Sequence, residues 1–144
     1  HGDGWYSKMF YSYYEATDRS DQTASESEAH LFIGVPQHVI GWEGGLALSK
    51  NIHWSLSAQW RSKVIGFGDL DLATGKAQEE EIDPTFFLNT WLRFENVMSE
   101  DMSLGMGIDN IFDERDEVAY GSDGFNNPVP QLGRTFRIEL EYRF

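Results

Sequence analysis

The 144-residue chain contains no cysteine, which excludes disulfide frameworks, thiol chemistry and Cys-ligated metal sites. It is short of base as well: 11 Lys and Arg stand against 24 Asp and Glu, a formal net charge of −13. Nucleic acid is therefore not an expected partner, because phosphate binding needs clustered Lys and Arg. Long apolar runs are missing too. None approaches the roughly 18 residues of a membrane-crossing helix, and the mean hydropathy of −0.47 resembles that of a water-soluble protein. Nothing after His1 has the positively charged start and apolar centre of an export signal, so the chain is expected to be a processed product or a piece of something longer. No helical periodicity is sustained over a dozen residues.

What recurs is period two. In Asn51 to Val64, residues Ile52, Trp54, Leu56, Ala58, Trp60 and Val64 share one face, and His53, Ser55, Ser57, Gln59, Arg61 and Lys63 share the other. The closing segment Gly133 to Phe144 alternates without exception, with Phe136, Ile138, Leu140, Tyr142 and Phe144 opposing Arg137, Glu139, Glu141 and Arg143. Four further strands are expected over Trp5 to Ala16, His38 to Ser49, Thr85 to Glu95 and Met102 to Phe112. Phe86, Leu88, Leu92 and Phe94 share a face with Thr90, and Met102, Leu104, Met106 and Ile108 oppose Ser103, Gly105, Gly107 and Asp109. The first strand is aromatic on both faces, which leaves its orientation open. Segments of this length exceed the usual five or six residues of soluble sheets and approach the 9 to 11 that cross a bilayer at a tilt. In a barrel wall only alternate side chains meet lipid, so a low mean hydropathy is compatible with one fully apolar face.

The connections alternate in length. Lys50–Asn51 and Asn96 to Asp101 are short, whereas Thr17 to Gln37, Gly68 to Pro84 and Asp113 to Leu132 are long. Bacterial outer-membrane barrels have this asymmetry, with short periplasmic turns and long outer loops. The three long connections hold fifteen acidic residues against Arg19, Lys76 and Arg115, which accounts for 12 of the 13 net negative charges. The expected fold is thus all-β: an antiparallel up-and-down transmembrane barrel segment of about six strands, acidic at its outer rim. Six strands do not close a barrel, the smallest bacterial ones having eight. Its two edges need the remaining barrel strands, from another chain or a missing portion, because lipid satisfies no open backbone groups.

The C-terminal residues carry a resemblance. GMGIDNIFDERDEVAY, a Gly/Asn/Pro-containing loop and a terminal LGRTFRIELEYRF are similar to the end of a TonB-dependent receptor. In that family the penultimate strand ends in an Asn-Leu-Phe-Asp-like element, here Asn110, Ile111, Phe112 and Asp113. The last strand begins with Gly-Arg, here Gly133 and Arg134, and ends in aromatic-x-Phe, here Tyr142, Arg143 and Phe144. Pro36 and His38 resemble the family's Pro-x-His start of a descending strand. The resemblance implies the C-terminal portion, over residues 1–144, of a 22-stranded barrel whose plug domain and TonB-binding box are absent from this sequence. It further implies a bacterial outer-membrane location among lipid and lipopolysaccharide, and TonB-driven uptake of a scarce solute such as a ferric siderophore or a cobalamin-like molecule. Leu140, Tyr142 and Phe144 resemble the signal read by the barrel assembly machinery; the bland alternative is an edge strand that happens to end in an aromatic residue.

Other motifs favour bland readings. Asp69, Asp71 and Glu80 occupy the first, third and twelfth places of a calcium-loop pattern, but Ala73 and Thr74 stand where a ligand and the sharp-turn glycine should be. An acidic loop is expected instead. Gly105-Met-Gly107 lacks the third glycine and following helix of a dinucleotide motif. His30 beside Glu26 and Glu28, with His38 nearby, makes a weak metal site, so no metal and no cofactor is expected. No catalytic set emerges, and enzyme activity is the least supported class. Gln59, Arg61, Lys63, Arg93 and Glu139 are expected to line the lumen. The alternative to a receptor is a self-standing soluble β-sandwich; against it, Trp42, Trp54, Trp60, Phe86, Phe94, Phe136 and Phe144 supply more aromatic bulk than six such strands should need. A small barrel assembled from several chains is a third arrangement.

Overall fold

A computed structural model describes residues 4–15, 34–71, 73, 76–115, 117–118, 129–130 and 132–144. Ten strands follow in chain order: β1 (Trp5–Tyr13), β2 (His38–Ser49), β3 (Ile52–Arg61), β4 (Val64–Asp71), β5 (Lys76–Ile82), β6 (Thr85–Glu95), β7 (Met102–Asp109), β8 (Glu117–Val118), β9 (Val129–Pro130) and β10 (Thr135–Tyr142). Six of them form one antiparallel sheet in the order β1-β2-β3-β6-β7-β10, the six expected from the alternation. The six follow in chain order, with only the pairs β4–β5 and β8–β9 inserted between neighbours, so the sheet is an up-and-down meander. It does not close: β1 and β10 are its edges.

The register keeps like with like. Trp54 faces Leu46 on one side and Leu92 on the other, Leu92 faces Met106, and Met106 faces Ile138. A slip of one residue at any pair would bring Ser55, Arg93 or Arg137 into this row, so the apolar pattern fixes the pairing. On the opposite face His53 pairs with Arg93, Arg93 with Gly105, and Gly105 with Glu139. The orientation of β1 is settled by its partner: Trp5, Met9 and Tyr11 meet Leu46, Trp42 and Ile40 on the apolar face, while Tyr6 and Phe10 fall on the other face opposite Gly45 and Gly41.

Three expectations need correction. The strand expected over Asn51 to Val64 ends at Arg61, because both neighbours stop there: β6 begins at Thr85, opposite Arg61, and β2 begins at His38, whose carbonyl accepts the last bond from the Ser62 N–H at 2.9 Å. Val64 instead opens β4. The connection Gly68 to Pro84, expected to be a loop, belongs to a second hairpin in which β4 pairs with β5 and Val64 lies opposite Ile82. Asp69 and Asp71 therefore lie on one strand and Glu80 on the next, in extended chain where an acidic loop was expected; Thr74 and Gly75 are outside the described residues. Lys63, expected on the polar face of the sheet, pairs with Glu81 of this hairpin at 2.8 Å. Phe112 and Gly133 lie beyond the ends of β7 and β10, and Ala16 and most of Thr17 to Gln37, including His30, Glu26 and Glu28, lie outside the described residues.

Ile65 and Ile82 are buried apolar side chains. Both lie near the base of the hairpin, where the Gly34 N–H also donates to the Ile65 carbonyl at 2.8 Å. Among the described residues no second layer packs on the six-stranded sheet, so the sandwich arrangement is not the one these strands adopt. Ile82→Ala should destabilise the hairpin by about 2 kcal/mol. Amide exchange over 64–82 should speed up accordingly while Thr85–Glu95 stays protected; equal loss in both would contradict an independently anchored hairpin.

Candidate functional site

The candidate functional surface is the sheet itself, whose two faces have opposite chemistry. On one face, Trp5, Leu46, Trp54, Leu92, Met106 and Ile138 form a row across all six strands. Parallel rows above and below it include Tyr11, Ile40, Trp60 and Phe86, and Ile52, Phe94, Leu104 and Leu140. This band is uncovered: Trp5 is 70% exposed and Ile138 77% at the two edges, and even the central Trp42 and Trp54 are each 37% exposed. Monomeric proteins rarely leave so large a contiguous apolar patch open to water.

Two of the indole donors in the band are paired inside it. The Trp42 indole N–H donates to Ser7 Oγ at 2.9 Å, and the Trp54 indole N–H to Thr90 Oγ1 at 2.8 Å. Ser7 and Thr90 are the hydroxyl residues of the adjacent row, Ser7-Gly44-Leu56-Thr90-Ile108, so each falls where a neighbouring strand supplies an indole donor. In an apolar medium an unpaired donor costs on the order of several kcal/mol, and this pairing avoids that cost. At the loop end of the band, Tyr11 and Tyr13 flank His38, with the Tyr11 hydroxyl 2.8 Å from His38 Nδ1. Tyr142 and Phe144 stack at the opposite end, 6.3 Å apart.

The other face is polar and tied across strands. Arg93 Nη2 reaches Glu141 Oε2 at 2.6 Å and donates to Ser103 Oγ at 2.9 Å, linking β6 to the edge strand across β7. Glu95 adds His53 and Arg93 at 3.8 and 3.6 Å, and Arg143 binds Glu141 at 3.1 Å. Gln59, Arg61, Arg93 and Glu139 lie on this face as expected. Sequence reading passed over two aromatic residues here. Trp91 spreads across Gly105 and Gly107, where any Cβ would strike its ring, and the Arg137 guanidinium stacks 4.6 Å from its centroid. Phe87 carries Arg61 in the same way at 5.0 Å. The signal was available: Trp91 precedes the apolar-face Leu92, and the Gly-x-Gly of the next strand leaves room for it.

The residues of the C-terminal motif meet at one place, where β7 hands over to β10. Asn110 is buried and left-handed (φ 55°). Its side chain donates to the Glu114 carbonyl at 2.7 Å and accepts from the Glu114 N–H at 2.9 Å. Its own N–H donates to Asn89 Oδ1 at 2.8 Å, which binds the turn to β6. Phe112 packs on Phe86 with ring centroids 6.0 Å apart. Asp113, also left-handed (φ 57°), accepts from the Arg134 N–H at 2.8 Å. Gly133 lacks the Cβ that would collide with that carboxylate. Asn110, Asp113, Gly133 and Arg134 thus close the start of the last strand onto the end of the previous one. Leu140 and Tyr142 lie on the apolar face of the edge strand, with Phe144 just beyond it.

No protein-family model and no curated protein sequence matches the chain. Its fold is similar to part of the ferripyoverdine receptor of the outer membrane of Pseudomonas aeruginosa solved with ferripyoverdine bound, with a TM-score of 0.75 and 12% identity over 98% of this chain and 18% of that one. The FpvAI–pyocin S2 complex gives a TM-score of 0.76 at 12% identity, covering 98% of this chain and 17% of its counterpart. P. aeruginosa FpvA bound to heterologous pyoverdines gives 0.71 at 14% identity, covering 96% and 17%. The chain therefore spans under a fifth of the length of these proteins, and the sheet is similar to a portion of a receptor barrel.

The Arg134 N–H holds the Asp113 carboxyl below the ordinary carboxylate range, with the Arg115 and Arg134 charges adding and desolvation opposing. A depressed folded pKa means that the clamp's contribution is complete above the ordinary value of about 3.9 and is lost as pH falls through the lower folded value. Exchange protection of the Arg134 amide should therefore hold at pH 5 to 7 and fall on strong acidification. Asp113→Asn, which keeps an acceptor oxygen, should abolish the pH dependence, and Asp113→Ala should lose the protection at every pH.

Proposed function

We propose that residues 1–144 are the C-terminal portion of a bacterial outer-membrane receptor barrel that takes up a scarce solute, such as a ferric siderophore, under TonB drive. The observation that carries this reading is the uncovered apolar band in which the Trp42 and Trp54 indoles are paired with Ser7 and Thr90. Such a face suits hydrocarbon and is costly in water. Counted along β2, the band from Ile40 to the level of Tyr142 covers about ten residues, or about 33 Å of strand. At the usual barrel tilt that is a height of about 25 Å, the thickness of the apolar belt of outer-membrane barrels. The likeness to ferripyoverdine receptor structures supports a receptor rather than a pore or an enzyme.

In this reading β1 and β10 pair with remaining strands of the barrel, the polar face lines the lumen around a plug, and TonB engages a region outside these residues. The hairpin of β4 and β5 rises from the solvent end as part of an outer loop. Leu140, Tyr142 and Phe144 form the signal read by the barrel assembly machinery. Asn110, Phe112, Asp113, Gly133 and Arg134 hold the last strand in register while it is read, and lipopolysaccharide surrounds the acidic outer rim.

Cells expressing the native-length protein should bind and import radio-iron supplied as ferripyoverdine or as another member of a ferric siderophore panel, and deleting the gene should abolish both. Loss of TonB should stop import and leave binding intact. Removing Phe144 alone should lower the amount in the outer membrane severalfold. Unchanged uptake of every panel member after gene deletion would contradict the receptor assignment.

A further inference from the structure

The apolar band is not uniformly filled. Between β1 and β3 it opens into a crevice of about 210 Å³ over Gly44, walled by Trp5, Trp42, Leu46, Trp54 and Leu56. Gly44 is its floor: the Trp42 ring lies so close that a Cβ there would come within 2.6 Å of it. At roughly 30 Å³ per water the volume equals about seven water molecules, and each would need two to four polar partners. The crevice offers almost none of that. Ser7 Oγ is engaged by the Trp42 indole, the Trp54 indole N–H is turned to Thr90 outside the crevice, and no charged side chain lines the walls. A polar or ionic occupant would find at most the Trp5 indole N–H to bind, whereas a flexible hydrocarbon chain would fill a space that packing otherwise leaves empty.

We propose that this crevice seats one acyl chain of a bilayer phospholipid as a bound lipid, distinct from those that exchange freely along the rest of the band. The occupant follows from continuity: the crevice opens onto the surface assigned to hydrocarbon, so the inference rests on the membrane reading given above. Three indoles supply rigid walls, and the missing side chain at position 44 lets the Trp42 ring approach the backbone as one of them.

The test is mass spectrometry of the native-length protein released intact from detergent after titration with dioleoylphosphatidylcholine, with glycerophosphocholine as the headgroup without chains. Wild-type protein should retain one phospholipid and no glycerophosphocholine. Gly44→Leu and Leu56→Trp fill the crevice from different strands and should each weaken retention about tenfold or more. Should Gly44→Leu fail to fold, Leu56→Trp, which leaves the Trp42 contact intact, decides the matter. Equal retention by wild type and filled variants overturns the seat while leaving the membrane assignment standing. A protein that stays dispersed in buffer without detergent overturns both.

Discussion

The constraint on which the rest of this structure depends is the pairing register of a single sheet that has no partner layer. Most domains bury an apolar face against a second layer and take their stability from that contact. Here the backbone ladder is the internal cohesion of the sheet, and the apolar face is left for something outside the described residues. Every cross-strand pair must then agree on which side is apolar, since one slipped residue would put Arg93 beside Trp54 and Leu92 among the ion pairs. The surroundings of the sheet, not a core, decide whether this sequence is stable.

Seen this way, the side-chain arrangements on the two faces answer different requirements. On the apolar face the problem is the residual polarity of tryptophan, serine and threonine, met by setting Trp42 on Ser7 and Trp54 on Thr90. On the polar face the problem is bulk and charge. Tyr6, Phe10 and Trp91 lie over glycines of the neighbouring strand, and Arg93 gathers Glu141, Ser103 and Glu95 into one network. The clamp from Asn110 to Arg134 then fixes the start of β10, the strand that carries Leu140 and Tyr142. A sheet built strand by strand needs its last member held in register, and this clamp lies at the junction where that happens.

Much of this was legible in the sequence because period two needs no tertiary information: β2, β6 and the faces of β3, β7 and β10 follow from alternation alone. The failures have physical causes. Ser62, Lys63 and Val64 continue the alternation of β3, and only the absence of partners beyond Thr85 and His38 ends that strand. The hairpin of β4 and β5 was hidden because Glu79, Glu80 and Glu81 break any alternation on β5. The orientation of β1 could not be read from its own residues, since both faces are aromatic. It depends on Gly41 and Gly45 of β2 receiving Phe10 and Tyr6. The C-terminal motif was legible as a pattern, but its reciprocal bonds between Asn110 and Glu114 were not.

The central claim is that the two faces of this sheet meet different solvents, and the absence of native cysteine makes it directly measurable. Single cysteines placed in turn from Phe86 to Glu95 on β6, nitroxide-labelled in the membrane-reconstituted protein, can be exposed to oxygen and to a water-soluble paramagnetic complex. The account predicts high oxygen accessibility at 86, 88, 90, 92 and 94, with the water-soluble relaxant favouring the odd positions between them. Accessibility to both reagents rising and falling in phase along the strand, or the water-soluble complex reaching both faces equally, would contradict it.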